Sequence, residues 1–122
     1  MTPQQPSLQN WKTQLRKGVL ELCILNRLLR RECYGYDLVQ DLKRVDVLQM
    51  REGTIYPILA RLEEDGLVAS HVETSSSGPP RKYVKITRDG EKAVEEMNRH
   101  WEQIRTAVHT AKSAKGGKTD EN

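Results

Sequence analysis

Residues 51–68, REGTIYPILARLEEDGLV, carry the pattern of a helix that runs into a strand. Apolar residues recur there at helical spacing and form one inward stripe: Ile55, Ile58, Leu59 and Leu62. Gly66 follows at the position where a left-handed residue ends a helix. Because proline is tolerated in a first helical turn, Pro57 predicts a helix that starts near residue 53 or 54, and an earlier start predicts a kink.

The face opposite that stripe is small and flat. It carries Gly53, Thr54, Pro57, Ala60 and Arg61. Small side chains let a helix backbone approach the floor of a DNA groove, where a threonine hydroxyl can contact a phosphate or a base edge and an arginine can reach further. Ordinary helix punctuation is the alternative explanation for the glycine and the proline.

Helices are predicted on both sides of this stretch, together with a hairpin. A first, central helix is predicted at residues 13–31, and a second within YGYDLVQDLKRV, residues 34–45. The runs LVASHVE and RKYVKIT flank the tip TSSSGPP, which predicts a two-stranded β-hairpin. Thr87 is then positioned to cap a long last helix that starts near Arg88.

The order helix, helix, helix, hairpin, helix is that of a winged helix-turn-helix, an α+β fold that is mainly α, in which the third helix enters the DNA major groove. We expect a flexible arm at residues 1–12, a DNA-binding domain at 13–87, a dimerisation helix at 88–112 and a disordered tail at 113–122. The wing's basic segment RKYVKITR contains no acidic residue, and its Arg81 and Lys82 are expected to reach phosphates or the minor groove.

Composition limits the class of protein. A length of 122 residues predicts one domain, and the net charge of +3 says little about partners. The N-terminus has no signal-like apolar run and no segment is apolar enough to span a bilayer, so we expect a cytoplasmic protein. The histidines stand apart and the two cysteines have no metal-ligand spacing. We therefore expect no enzyme activity, no metal and no cofactor.

The last predicted helix has an apolar stripe that requires a partner. Its members are Val94, Met97, Trp101, Ile104, Val108 and Ala111, with spacings of 3, 4, 3, 4 and 3. A lone amphipathic helix must bury such a stripe against another surface, so we expect a homodimer. A two-fold dimer predicts an inverted-repeat operator with half-sites about 10 base pairs apart, or a multiple of that spacing.

The sequence also resembles a known family, the PadR-like transcriptional regulators, which are winged helix-turn-helix proteins and mostly dimeric repressors. LRKGVLELCIL, YGYDLVQDL, EGTIYPILARLEEDGLV and SGPPRKYVKIT resemble its first helix, second helix, recognition helix with first wing strand, and wing. The resemblance covers about residues 15–90, and GTIYP together with GPPRKY is its most specific part. NRLLRREC departs from the family pattern, as does the lack of a large C-terminal domain, a feature of the short PadR class.

The resemblance implies roles for individual residues. Tyr34 and Tyr36 are expected near the DNA backbone, Thr54, Tyr56 and Arg61 near the groove, and the two wing cations on the wing. In the short class, the single C-terminal helix pairs with its counterpart and with the N-terminal helix. The implied dimer interface therefore comprises Leu15, Val94, Met97, Trp101, Ile104 and Val108.

Two alternatives remain open from the sequence. Trp101, with Trp11 as a possible neighbour, either lines a pocket for a small aromatic effector, as in some PadR-like multidrug regulators, or only packs the dimer seam. The protein is expected to be a regulator that binds double-stranded DNA. The runner-up is a winged helix that docks another protein without specific DNA binding.

Overall fold

A computed structural model describes residues 8–75 and 77–117 of the chain. Four α-helices and three strands follow one another in this part. They are α1 (Gln9–Arg30), β1 (Cys33–Tyr34), α2 (Gly35–Lys43), α3 (Glu52–Glu64), β2 (Val68–Ser75), β3 (Gly78–Ile86) and α4 (Arg88–Gly117). A short 3-10 helix, Asp46–Leu48, separates α2 from α3. The predicted fold class, a mainly α winged helix-turn-helix, is confirmed. None of the described helices is long and apolar enough to cross a membrane.

The sheet contains a strand that the sequence did not predict. Its order is β1-β3-β2, with both pairings antiparallel. The two-residue β1 places Cys33 opposite Val84 and Tyr34 opposite Tyr83, so the wing has three strands rather than two. The two long strands also extend further into the predicted tip, because β3 starts at Gly78 and includes both prolines. Near the tip β3 pairs with β2 alone, so a missing amide costs little there.

One hydrophobic core joins all the elements. Helix α1 is its centre and buries Leu20, Ile24, Leu25 and Leu28, as expected for a helix covered on more than one side. Helix α3 contributes the predicted inward stripe, with Ile55, Leu59 and Leu62 buried and Ile58 packed against them. From the sheet, Val68 and Val84 face the same core.

Several predicted boundaries are wrong. Helix α1 starts at Gln9, so residues 9–12 are helical and do not form an arm, while residues 1–7 lie outside the described part. Helix α4 continues to Gly117, so residues 113–117 are helical and not a disordered tail, and residues 118–122 lie outside the described part. Helix α3 starts at Glu52, which places Pro57 in its second turn, not its first.

A compact joint connects the end of α3 to the start of α4. Gly66 has a φ of 78°, and the amides of Gly66 and Leu67 donate to Glu63 and Leu62, which is the expected left-handed helix end. Thr87 caps α4 as predicted, because its Oγ1 accepts from the Gly90 amide at 2.9 Å. The same hydroxyl donates to the Gly66 carbonyl at 2.7 Å, so one side chain holds both helix ends.

Candidate nucleic-acid interface

The outer face of α3 is flat, as the sequence indicated. Gly53, Pro57 and Ala60 are exposed, and none of their side chains extends far from the helix. Because Pro57 has no amide hydrogen, the carbonyl of the exposed Gly53 lacks its usual helical donor. Thr54 is half-buried at one edge of this face. The helix therefore offers a shallow surface on which backbone can come close to a partner.

Two exposed tyrosines beside the outer face of α3 lie on neighbouring elements. Tyr36 is 60% exposed in the first turn of α2, and Tyr56 is 42% exposed on α3. The Tyr56 ring lies beside Gly35, which has no side chain to displace it. The start of α2 and the outer part of α3 therefore form one continuous surface that carries both phenol groups.

Arg61 has a partner within the chain. Its guanidinium forms an ion pair with Glu21 of α1. Both side chains remain partly exposed, so this pair stabilises the fold only weakly. The pair nevertheless directs the arginine towards α1. The structure thus keeps Arg61 at the edge of the α3 face, where the sequence expected it, but with its charge already balanced.

On the inner side of the wing, Lys82 approaches α3. Its Nζ lies 3.9 Å from Oε1 of Glu63, and Glu63 also accepts a 2.9 Å hydrogen bond from the Ser70 hydroxyl. The sequence gave Glu63 no role and placed it far from the DNA-binding face. It instead connects the last turn of α3 to both long strands of the wing.

On the outer side of the wing, aromatic and charged side chains form one cluster. The Arg81 guanidinium lies 3.9 Å above the Tyr34 ring, and the Tyr34 hydroxyl donates to Glu73 Oε1 at 2.8 Å. His71 Nε2 lies 3.2 Å from Glu73 Oε2. The Tyr83 ring meets Tyr34 edge to face, with ring centroids 4.9 Å apart. Strand register explains the cluster, because Glu73 stands opposite Arg81 and His71 opposite Tyr83.

The hydrogen bonds in this cluster shift the titration of its members. The hydrogen bond from the Tyr34 hydroxyl lowers the pKa of Glu73, and the contact with His71 lowers it further. The same hydrogen bond raises the pKa of Tyr34, because the carboxylate stabilises the protonated phenol. Desolvation raises the pKa of Tyr83, with the nearby Glu32 acting in the same direction. At neutral pH the cluster holds a charged carboxylate and neutral phenols.

The apolar stripe of α4 divides between two environments. Val94 is fully buried in the core of its own chain, so its assignment to a dimer interface is wrong. Met97 packs against that core, and the remaining stripe residues are exposed: Trp101, Ile104 and Val108. Leu15 on α1 is also exposed. The exposed members lie along a groove between α1 and α4.

The groove brings the two tryptophans together, as the sequence suggested. Trp11 and Trp101 both line its outer section, with Leu15 and Ile104 between them and a cavity volume of about 580 Å³. The adjoining inner section is lined by Gly18, Leu22 and Met97, among others. Asn26 and Asn98 also join α1 to α4, by exchanging two amide hydrogen bonds of 2.9 and 2.8 Å.

Sequence reasoning missed the acidic partners of the residues that it had assigned to DNA. Glu21, Glu63 and Glu73 each engage a residue that the sequence had assigned to DNA. For Glu73 a signal was present, since pairing the two predicted strands across the tip brings residue 73 opposite residue 81. For Glu21 and Glu63 no local signal exists, because their partners come from packing between elements.

Comparisons with known proteins agree with the fold. Residues 24–96 match the model of the transcriptional regulator PadR-like family. The chain is 32% identical over 103 residues to the transcriptional regulator Rv3488 of Mycobacterium tuberculosis, which covers 80% of this chain and 94% of that protein.

Solved structures give the same result. The chain is similar to a PadR-like transcriptional regulator from Bacillus cereus, with 39% identity, a TM-score of 0.71, and coverage of 80% of this chain and 95% of that one. A PadR family regulator from Eggerthella lenta has 32% identity, a TM-score of 0.74, and coverage of 85% and 90%.

The fold and its flat helix face define a winged-helix protein of the transcription-regulating kind. The chain belongs to the PadR-like transcriptional regulator family. Members of this family are transcriptional regulators and not enzymes, so the expected class of protein is confirmed.

Proposed function

We propose that this regulator binds double-stranded DNA sequence-specifically, as a homodimeric repressor of an inverted-repeat operator. The observation that carries the proposal is the flat, exposed face of α3, flanked by Tyr36 and Tyr56 and adjoining a wing with exposed cationic side chains. A helix face without protruding side chains can approach the floor of a major groove, while the wing contacts phosphates beside it. A protein that binds DNA in this way would be located in the cytoplasm, as the sequence predicts.

The exposed residues suggest individual roles. Thr54 and Tyr56 flank the α3 face and are assigned to base edges or to the sugar-phosphate backbone, and Tyr36 to the backbone at the start of α2. Arg61 is assigned a contact at the groove edge that competes with its ion pair to Glu21. Replacing Glu21 with glutamine should therefore strengthen DNA binding modestly, which fluorescence anisotropy can measure.

A homodimer would cover the exposed groove between α1 and α4. Five large apolar side chains along this groove are all at least 37% exposed, which is unusual for one surface: Trp11, Leu15, Trp101, Ile104 and Val108. A second copy presenting the same residues around a two-fold axis would bury them, and would place two recognition helices on one side of the DNA.

An effector is the least constrained part of the proposal. The outer groove section, about 580 Å³ with two tryptophans, has the size and composition of a site for a small flat aromatic molecule. Binding there would quench tryptophan fluorescence and weaken DNA binding. If Trp101 only packs the dimer seam, a panel of planar aromatic cations and phenolic acids will leave the fluorescence unchanged.

The test of DNA binding uses the full chain and a fluorescent duplex of its own upstream region, against a scrambled duplex of equal composition. We expect tighter binding to the native duplex and a steep loss of affinity with salt, about 0.9 log unit per log unit of salt for each phosphate neutralised. A monomer by sedimentation at micromolar concentration would contradict the dimer. Equal, salt-insensitive binding to both duplexes would favour a protein-docking role instead.

A further inference from the structure

The neighbouring wing cations Arg81 and Lys82 have different surroundings. Successive residues of a strand point to opposite faces of the sheet, so Lys82 lies on the side of α3 and Arg81 on the outer side. Lys82 approaches the carboxylate of Glu63 at 3.9 Å. Arg81 lies instead against the ring of Tyr34, and among the described residues it forms no ion pair. The sequence had treated the two cations as equivalent.

The absence of an ion pair at Arg81 among the described residues is notable because Glu73 stands directly across the strand, near enough for Arg81 to lower the pKa of its carboxyl. Both oxygens of Glu73 are engaged elsewhere, Oε1 by the Tyr34 hydroxyl at 2.8 Å and Oε2 by His71 at 3.2 Å. Tyr34 therefore acts in two ways. Its hydroxyl holds the acid that would otherwise capture the arginine, and its ring receives the guanidinium.

We propose that Arg81 is the phosphate-binding cation of the wing, that Tyr34 and Glu73 are positioning residues acting through it, and that Lys82 serves mainly to join the wing to α3. This inference rests on the proposed DNA binding. It also changes the role of Tyr34, which the family resemblance placed at the DNA backbone itself.

The geometry suits such a role. A guanidinium stacked on an aromatic ring uses its flat face for the contact, and its N–H donors lie in the plane and remain available at the edge. A phosphate can accept two of these hydrogen bonds side by side. Because the ring fixes the arginine before DNA arrives, less side-chain freedom is lost on binding.

The first experiment compares Arg81→Ala with Lys82→Ala in the full chain, by anisotropy on the native duplex at four salt concentrations. We expect Arg81→Ala to weaken binding roughly tenfold or more and to lower the salt slope by about 0.9 for each wing bound. Lys82→Ala removes the same charge and should change affinity less than about threefold, since its charge is already balanced by Glu63.

The second experiment isolates the ring of Tyr34 with two variants of identical charge, Tyr34→Phe/Glu73→Gln and Tyr34→Leu/Glu73→Gln. The glutamine prevents capture of the arginine in both. The phenylalanine variant should bind the duplex as tightly as a Glu73→Gln control. The leucine variant should lose most of the affinity that Arg81→Ala loses. Adding Arg81→Ala to the leucine variant should then reduce the affinity only slightly further, because both changes remove the same phosphate contact.

Different results would contradict the proposed DNA binding and the roles of Arg81 and Tyr34. If the unmodified protein shows no preference for the native duplex and no salt slope, the proposed DNA binding fails. If it binds but Lys82→Ala costs as much as Arg81→Ala, or the phenylalanine and leucine variants bind equally, the assignment of Arg81 and Tyr34 is overturned. Circular dichroism melting of every variant excludes unfolding as the cause of a loss.

Discussion

The two halves of α4 share one apolar spacing but differ in how far their apolar side chains are buried. In the first half Val94 is 0% exposed and Met97 packs against the core of the same chain. In the second half Trp101, Ile104 and Val108 are 37%, 44% and 56% exposed. Spacing determines which side of a helix is apolar, whereas the neighbouring elements determine whether that side is covered. The first half belongs to the winged-helix core, and the second extends beyond it.

The largest effect should follow from a charged substitution in the buried first half of α4. Val94→Asp places a charge where no water reaches, and the cost of burying an unpaired carboxylate exceeds several kcal/mol. We expect the chain to lose its cooperative thermal transition by circular dichroism. A folded Val94→Asp variant would contradict the assignment of Val94 to the core.

The matching change in the second half should leave the fold intact. Ile104→Asp lies on the exposed groove wall, so we expect a folded protein that sediments as a monomer and binds DNA much more weakly. Val47→Asp is the control, since Val47 is 76% exposed in the 3-10 helix and lies away from the groove. Retention of the dimer in Ile104→Asp would place the interface elsewhere.

A smaller loss is expected at the first turn of α4. Glycine to alanine normally stabilises a helix, but a Cβ on Gly90 would overlap the Leu67 carbonyl oxygen and press on Ile86. We expect Gly90→Ala to lower the free energy of unfolding by about 2 kcal/mol, measured by urea denaturation. Gly53→Ala is the control because nothing lies within 4 Å of its Cβ position, and its stability should not fall.

The border between the two halves is marked by Asn98, and its effect should be smaller again. Asn98→Ala removes both amide hydrogen bonds to Asn26 and leaves that amide partly unsatisfied. We expect a loss of about 1 kcal/mol in the free energy of unfolding. In a double-mutant cycle, adding Asn26→Ala should cost almost nothing more. Additive losses would show that the two amides act independently.

The smallest effect should appear in the wing, outside both halves. The hydrogen bond from Tyr34 lowers the pKa of Glu73, so the stabilising contribution of Glu73 is present above its ordinary pKa, about 4.3, and is lost as the pH falls through the lower folded value. The urea midpoint of Glu73→Gln should therefore fall less between pH 6 and pH 3 than that of the unmodified protein. Identical pH profiles would exclude this coupling.

Local signals in the sequence predicted the elements well. The glycine that ends α3 and the threonine that caps α4 were identified because each acts on its own few neighbours. Strand β1 was missed because two residues carry no periodicity, and their strand geometry comes only from pairing with β3. The early start of α1 was missed although Trp11 continues the helical spacing of Leu15 and Val19, because no side-chain cap marks where this helix begins.

The site was predicted less completely than the fold. The sequence identified the flat α3 face and the basic wing, because residue type and helical spacing are enough for both. It could not assign partners to the charges, since Arg61 meets α1 and Lys82 meets α3 only after folding. The burial of Val94 escaped prediction for the same reason, because a heptad pattern looks alike against either its own chain or a second copy.

Helix α4 is long and is held at its first turn by the joint around Thr87, so a small rotation there moves its far end by a large distance. This helix has 30 residues, so at 1.5 Å per residue its axis is about 45 Å long, and a 5° rotation at the joint moves its far end by about 4 Å. That displacement is similar to the rise of one base pair of DNA. The hydrogen bond between Thr87 and Gly66 fixes the end of α3 to the start of α4. In the proposed dimer, repacking at the distant end of α4 would change the separation of the two α3 helices. In that proposed dimer, substitutions far from the α3 face would therefore tune the half-site spacing that it accepts.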